Sequence, residues 1–213
     1  MKITKYEHAC LVVEDNGKQI VIDPGVFSKS LATDVKYDAA VITHVHSDHM
    51  DIETLQKLKS SNPEMRIFSV QQAANDLIKN SLDCEVVGAG DTAVVGDFNL
   101  EFFGGQHAII HPDFPRFENV GVMVSERFYY PGDSFTKPEK PVEILAVPYS
   151  GPWLKTGESM DFISQVNPKR CFPTHDYLSS KDGAKFVNNW LRQICEQKGI
   201  VFEVIETSQS LGA

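Results

Sequence analysis

The segment His44–His49, with the sequence His-Val-His-Ser-Asp-His, decides how this chain of 213 residues is interpreted. It directly follows an apolar run that is typical of a β-strand. In an extended segment alternate side chains share a face, so His44 and His46 should point the same way from the end of the strand. A turn after them can bring Asp48 and His49 toward a second point nearby. The spacing predicts two neighbouring metal ions, because one strand end cannot wrap all four groups around one tetrahedral centre.

The ligand types in this segment indicate the metal. Imidazole and carboxylate without thiolate favour zinc, with manganese or iron as alternatives. A solvated histidine-rich turn is the other interpretation, and the clustering at the end of a strand disfavours it. Further potential ligands end other strand-like runs, namely His107 after two glycines, Asp133 after Gly132, and His175. Several strands that end in a potential ligand predict a site built by converging loops on a rigid scaffold.

The order of these motifs resembles the metallo-β-lactamase superfamily, and the match runs from residues 22–25 to His175. The resemblance implies an α/β fold, a four-layer αββα sandwich in which two mixed β-sheets are flanked by helices. We expect residues 1–213 to form this single domain. The resemblance also implies two metal ions. The first would be held by His44, His46 and His107, and the second by Asp48, His49 and His175, with Asp133 bridging the two.

Residues 7–9 narrow the resemblance to one branch of the superfamily. Glu7-His8-Ala9 is similar to the small hydrolase branch of the superfamily that includes ascorbate-phosphate lactonases. Glu7 stands where that branch usually has glycine. Met50 and Asp51 stand where the thiolesterase and glyoxalase-II branches usually have glycines, which argues against glyoxalase II. In the branch that the chain resembles, His8 approaches the site, so we expect His8 to contact the substrate or the leaving group.

The predicted function is a dinuclear hydrolase with two Zn²⁺ ions per chain, in which a metal-bound hydroxide attacks a small ester, lactone, thioester or phosphodiester. Zinc can lower the pKa of a bound water to about 7. The alternatives are a nucleic-acid-processing phosphodiesterase and a catalytically silent metal-bound sensor or scaffold. Two-iron oxidoreductases of the superfamily resemble His-x-Glu-x-Asp, whereas this chain has His46 at the glutamate position.

Three aspartates have expected roles around the metals. Asp48 and Asp133 are the predicted catalytic carboxylates, and Asp48 is expected to handle the proton of the attacking water. Asp23 resembles the first motif of the superfamily and would hold a ligand histidine or its loop in place. The alternative for Asp23 is a turn aspartate before proline. Asp176 has a weaker claim, because it could simply cap the next helix.

Candidate substrate contacts lie in two loops. His111 competes with His107 for the metal, and the spacing favours His107. His111 and Arg116 are therefore expected substrate contacts, with a plain surface loop as the alternative. Tyr149 and Trp153 could line the cleft, although buried aromatic residues usually serve packing.

Charge and composition limit the partners. The net charge of −9, from 20 basic and 29 acidic residues, makes nucleic acid an unfavourable partner. Two bound cations would reverse this sign locally, so a small anionic substrate is expected. No apolar stretch is long enough to span a bilayer, and the N-terminus lacks the apolar core of a signal peptide. The expected location is cytoplasmic, without a membrane partner. The oligomeric state is open, and a homo-oligomer is one option.

The remaining expectations concern local structure. The four cysteines, Cys10, Cys84, Cys171 and Cys195, have no metal or redox spacing and are interpreted as buried thiols. The turn at Asn16-Gly17 predicts a hairpin. Helices are predicted over 52–59, 71–80, 158–165 and 181–197, and a last strand over 201–205.

Overall fold

Two mixed β-sheets of seven strands each form the centre of the computed structural model, which describes residues 1–212. In chain order the strands are β1 (Lys2–Lys5), β2 (Leu11–Asp15), β3 (Lys18–Ile22), β4 (Ala39–Ile42), β5 (Arg66–Ser69), β6 (Glu85–Val86), β7 (Thr92–Val95), β8 (Phe98–Gly104), β9 (Val120–Val124), β10 (Phe128–Tyr130), β11 (Ile144–Pro148), β12 (Arg170–Thr174), β13 (Val201–Phe202) and β14 (Gln209–Gly212). The helices are α1 (Ile52–Ser61), α2 (Gln71–Lys79), α3 (Thr156–Val166) and α4 (Lys181–Lys198). Since the sheets are flanked by these four helices, the predicted αββα sandwich is confirmed.

The first sheet has the strand order β14-β1-β2-β3-β4-β5-β6, and the second has the order β13-β12-β11-β10-β9-β8-β7. Each sheet changes from antiparallel to parallel pairing along its width. In the first sheet β3, β4, β5 and β6 pair in parallel, and in the second sheet β10, β11, β12 and β13 do so.

Central strands are buried on both faces, which is why they have nearly continuous apolar sequences. In β11, Ile144 and Ala146 belong to the core between the two sheets. Leu145 and Val147 belong to the second core, where α3 and α4 cover the second sheet. Successive side chains of a strand point to opposite faces, so this one strand contributes to both cores.

Five strands place candidate site residues at one edge of the sandwich. The strands β3 and β4 run parallel in the first sheet. In the second sheet β8, β10 and β12 share one direction, because β9 pairs antiparallel with both β8 and β10, and β11 links β10 and β12 in parallel. Each strand is followed within a few residues by a candidate: Asp23, His44, His107, Asp133 and His175.

Several predicted elements are confirmed, and others need correction. Asp51 caps α1 by accepting a hydrogen bond from the Thr54 N–H at 3.2 Å, which confirms the predicted start of that helix. The predicted strand over 201–205 is shorter, ending at Phe202. The pairing of β1 with β14, the two ends of the chain, was not predicted.

The cysteines are free thiols, as interpreted from the sequence. Three of them are buried, but Cys84 is only half-buried, so its assignment as a buried thiol is wrong. Cys84 comes just before the two-residue strand β6 at the end of the first sheet, where less structure covers it. Among residues 1–212 no helix combines the length and apolarity needed to cross a membrane.

Candidate metal centre

Two groups of potential metal ligands lie at the shared edge of the sheets, and within each group the ligand atoms are within 4.8 Å of one another. The first group consists of His44, His46, His107 and Asp133. The second group consists of His8, Asp48, His49 and His175. All seven side chains that the resemblance implied as ligands are therefore brought together, and His8 joins them.

Asp133 belongs to the first group and also lies close to the second. Its Oδ1 is 3.2 Å from His49 Nε2 and its Oδ2 is 3.1 Å from His175 Nε2, both in the second group. The same Oδ2 is 3.4 Å from His107 Nε2 and 3.9 Å from His44 Nε2, both in the first group. One carboxylate thus faces both groups, which is the geometry that a bridging ligand requires.

Four of the imidazoles have their Nδ1 atom bonded to an oxygen of the surrounding loops. The partners are the Thr43 hydroxyl for His44, the Asp23 carboxylate for His49, the Ala108 carbonyl for His107 and the Ser150 carbonyl for His175. A carbonyl or carboxylate oxygen can only accept, so the rings of His49, His107 and His175 donate their Nδ1–H. Such partners fix the tautomer and leave the Nε2 lone pair for a metal.

Asp23 orients one histidine of each group. It is fully buried, and its Oδ1 accepts the Thr43 backbone N–H at 2.7 Å. Its Oδ2 accepts both the Thr43 hydroxyl and the His49 Nδ1–H, each at 2.7 Å. Because the Thr43 hydroxyl gives its only proton to Asp23, its oxygen accepts the Nδ1–H of His44 at 3.0 Å. Asp23 is therefore placed where a residue that orients ligand histidines must lie.

The chemistry of these residues fits two divalent cations. Four buried atoms in the two groups have no hydrogen-bond partner within residues 1–212: His49 Nε2, His107 Nε2, His175 Nε2 and Asp133 Oδ1. Buried polar atoms without a partner are costly and rare in folded proteins. Imidazole nitrogens and carboxylate oxygens are the donors that zinc, iron and manganese accept.

Burial and charge shift the pKa values of this cluster in opposite directions. Burial lowers the pKa of His44 well below its usual value. Burial also opposes a charge on His175, but the neighbouring Asp133 carboxylate outweighs it and raises the pKa to about 9. In turn, burial disfavours charge on Asp133, yet the His175 and His49 imidazoles hold the pKa of this carboxyl well below its usual range. Asp133 is therefore a carboxylate that attracts positive charge.

Two glycines let the backbone pass close to the ligands. A Cβ on Gly25 would lie 1.9 Å from the carbonyl oxygen of Asp48, so only glycine fits against the loop that carries the ligands. The neighbouring Val26 N–H donates to the Ser47 carbonyl at 2.9 Å, which fixes the two loops together. Gly132 has a φ of 63°, and a Cβ there would lie 2.4 Å from Asn119 Oδ1.

The four other residues predicted to contact the substrate divide into two exposed and two buried side chains. His111 has a side chain that is 57% exposed and Arg116 is also exposed, and neither belongs to a ligand group. Trp153 is buried with its ring 5.5 Å from His107 and 6.1 Å from His175, so it lies beside both groups. Tyr149 is buried, and its hydroxyl has no partner within residues 1–212.

Sequence reasoning missed several supporting residues. The Asn119 side chain accepts the Asp133 N–H at 3.0 Å, and nothing in the sequence around it indicated this. The Phe117 ring lies 4.5 Å from the His46 ring. Thr43 directly precedes the ligand segment, so its position was the only available signal. Glu7, the departure from glycine, accepts hydrogen bonds from the Ser30 N–H and hydroxyl. Asp176 does not cap a helix but forms an ion pair with the buried Lys5.

The fold and the site define a class of proteins, αββα sandwiches that hold candidate metal ligands where their two sheets meet. A family profile described as "Beta-lactamase superfamily domain" matches residues 2–175. The chain belongs to this superfamily, and the predicted resemblance is confirmed.

Relatives and solved structures agree with this membership. Protein Rv0786c of Mycobacterium tuberculosis is 32% identical over 187 residues, covering 85% of this chain and 87% of the relative. A UPF0173 metal-dependent hydrolase of Flavobacterium johnsoniae is 29% identical over 144 residues, covering 63% and 62%. The structure of Igni18, a metallo hydrolase of the archaeon Ignicoccus hospitalis, superposes with a TM-score of 0.77 at 20% identity, covering 99% and 97%. The prediction of a metal-dependent hydrolase is confirmed at the level of this class.

Proposed function

We propose that the chain is a dinuclear metal-dependent hydrolase that acts on a small anionic ester, lactone, thioester or phosphodiester. The first cation would be held by His44, His46 and His107, and the second by Asp48, His49 and His175, with Asp133 between them. Zinc is the favoured metal because the donors are imidazoles and carboxylates without a thiolate.

The position of Asp133 carries this proposal. A carboxylate that is 3.1 Å from His175 Nε2 and 3.4 Å from His107 Nε2 faces both groups with the same oxygen. The Nδ1 atoms of these two rings are already bonded to the backbone carbonyls of Ser150 and Ala108. Their Nε2 atoms have no hydrogen-bond partner among the described residues, and a shared pair of cations would account for this arrangement.

The bound cations would lower the pKa of a water molecule and polarise the oxygen of the scissile carbonyl or phosphoryl group. Within the chain, the Asp48 side chain is 25% exposed whereas the Asp133 side chain is 3% exposed. Asp48 is therefore the carboxylate that an incoming substrate and water can reach. Burial raises the pKa of Asp48, but the imidazoles of His175 and His8 outweigh it and hold the pKa below its usual range, so the group is ionised.

An ionised Asp48 beside the entrance is suited to accept the proton of the attacking water and return it to the leaving group. Trp153 supports a substrate site beside this centre, because its buried indole N–H has no partner within residues 1–212. That N–H is suited to donate to a substrate oxygen. His111 and Arg116 are exposed in the neighbouring loop and remain proposed contacts of the outer part of the substrate.

The experiment combines metal analysis with a panel of substrates. The purified protein is loaded with Zn²⁺, Mn²⁺ or Fe²⁺, its metal content is measured, and turnover is assayed on lactones, thioesters, phosphodiesters and a short RNA. We expect two cations per chain and turnover of one small substrate class. Asp133→Asn should lower both cation affinity and turnover, whereas His111→Gln, which changes a histidine outside both groups, should keep the two cations bound.

Three results would contradict the proposal. Binding of fewer than two cations would refute the dinuclear site. Turnover of RNA in preference to every small substrate would favour the nucleic-acid-processing alternative. Two tightly bound cations without turnover of any class would favour a metal-bound sensor or scaffold.

A further inference from the structure

His8 is the one member of the second group that the sequence did not place among the metal ligands. It is 1% exposed, and its Nε2 lies 3.0 Å from Asp48 Oδ2. Its ring centroid is 3.8 Å from that of His175. A histidine at this place could have one of three roles. It could be an additional ligand of the second cation, it could contact the substrate, or it could hold the Asp48 side chain in place.

The hydrogen bond at His8 Nδ1 shows which of the two ring nitrogens carries the proton. His8 Nδ1 accepts the backbone N–H of Tyr177 at 3.3 Å. A ring nitrogen that accepts a hydrogen bond carries no proton, so the single proton of the neutral ring is on Nε2. That Nε2–H then donates to Asp48 Oδ2. A nitrogen that donates in this way has no lone pair to offer a cation, which disfavours His8 as a metal ligand.

The backbone around His8 holds the ring in this position. His8 has a φ of 62°, which is uncommon for a residue with a side chain. Its carbonyl accepts the His175 N–H at 2.9 Å, so the two loops are joined directly beside the second group. The ring edge also packs against Phe27 with a centroid distance of 5.2 Å. A ring that is 1% exposed and enclosed in this way presents little surface to a substrate, which disfavours the substrate contact that the sequence led us to expect.

We propose that His8 is a positioning residue for Asp48, whose Nε2–H holds the carboxylate in the orientation that faces His49 and His175. Asp48 Oδ2 lies 3.6 Å from His175 Nε2 and 3.9 Å from His49 Nε2. Without the bond from His8, the partly exposed Asp48 side chain could rotate toward solvent and leave the second group with two imidazoles and Asp133. This inference rests on the proposed dinuclear function, and it concerns how the second cation is kept.

A pair of substitutions separates the three roles of His8. His8→Gln keeps a side-chain N–H near Asp48, whereas His8→Met has a similar length and no N–H. His111→Gln serves as the control for Zn²⁺ affinity alone, because His111 lies outside both ligand groups. For each variant, the affinity for the second Zn²⁺ is measured by competition with a chelator, and kcat and KM are measured on the substrate found for the wild type.

We expect His8→Met to lower the affinity for the second Zn²⁺ by about 10–100-fold, the usual effect of removing a bond to a metal ligand. His8→Gln should bind the second Zn²⁺ at least tenfold more tightly than His8→Met does. In kinetics, kcat should fall while KM changes by less than about threefold. If both variants lose the second Zn²⁺ equally, His8 is a ligand and the proposal is wrong. If only KM rises while Zn²⁺ affinity is kept, His8 is a substrate contact and the proposal is also wrong.

A measurement on the unsubstituted protein covers the case in which the variants do not fold. In ¹⁵N-labelled protein, the histidine ring nitrogens report directly which of the two carries the proton. We expect His8 to keep its proton on Nε2 both without metal and with two Zn²⁺ bound. Loss of that proton on loading would contradict the proposal. Because Zn²⁺ affinity and ring protonation are measured without turnover, a failure of the hydrolase proposal is distinguishable from a failure of this one.

Discussion

Replacing Asp23 by asparagine should weaken the binding of the second cation most, through His49, and the binding of the first cation less directly, through Thr43 and His44. Asp23 Oδ1 faces the Thr43 backbone N–H and Oδ2 faces the His49 Nδ1–H. The backbone N–H cannot change its role, so the asparagine oxygen must remain at the Oδ1 position. The amide NH₂ then faces His49, whose Nδ1 must become an acceptor. The ring proton moves to Nε2, the atom that would bind the second cation.

The size of this effect follows from what is left behind. The second group keeps Asp48, His175 and the shared Asp133, so binding is weakened rather than abolished. Removing the partner of a ligand histidine usually costs about 10–100-fold in metal affinity. This corresponds to about 1.4–2.7 kcal/mol. The first group is affected less directly: the NH₂ at the Oδ2 position can no longer accept the Thr43 hydroxyl proton, and that hydroxyl is the partner of His44 Nδ1.

The assay is a titration of the metal-free protein with Zn²⁺ in the presence of a competing chelator, which resolves the two binding steps. Asp38→Asn is the matched control. Asp38 also accepts a backbone N–H, from Gln19 at 3.0 Å, and a lysine side chain, but it belongs to neither ligand group. Asp38→Asn should leave both affinities unchanged. The reasoning is refuted if Asp23→Asn folds and binds the second Zn²⁺ with the affinity of the wild type.

Three further predictions follow from the site. Gly25→Ala should lower the free energy of unfolding by about 1–3 kcal/mol or more, because its Cβ would lie 1.9 Å from the Asp48 carbonyl oxygen. Gly105→Ala is the control, because nothing lies within 4 Å of the Cβ added there. If the two variants have the same unfolding temperature, the predicted clash at Gly25 is wrong. His107→Ala should remove the first cation while His111→Ala keeps both, as metal analysis can test; equal loss would restore His111 as a ligand. Removal of cations by a chelator should lower the unfolding temperature, since a ligand at 100 times its Kd stabilises by about 2.7 kcal/mol; an unchanged temperature would argue against cations in a closed site.

The strands and the candidate ligands at their ends were readable from local patterns, whereas the αββα arrangement and the division of the ligands between two metals came from the resemblance to the superfamily. Apolar runs such as Ile144–Pro148 indicate strands that are buried on both faces. Histidine and aspartate residues that can bind a metal come shortly after several of these strands. A residue such as His107 is found because two glycines and a strand precede it. Neither signal requires knowledge of which distant segments meet.

The supporting contacts could not be predicted, because they depend on how distant segments meet. His8 is 40 positions from Asp48 and looks like an isolated histidine, and only the closed fold shows their bond. Asn119 supports the backbone of Asp133 from another strand end, and no spacing rule indicates that bond. The strands at the two chain ends are short and partly polar, and they form β-structure only because residues 2 and 212 meet in the sheet.

Both ligand groups take residues from both sheets, so bound cations would join the two halves of the sandwich. In the first group, His44 follows β4 of the first sheet and Asp133 follows β10 of the second. In the second group, Asp48 comes from the loop after β4 and His175 from the end of β12. The chain itself also links the sheets at this place, through the 2.8 Å ion pair between Lys5 and Asp176 and the 2.9 Å hydrogen bond from the His175 N–H to the His8 carbonyl. Cation binding should therefore strengthen the contact between the sheets, at the same edge where we propose that hydrolysis takes place.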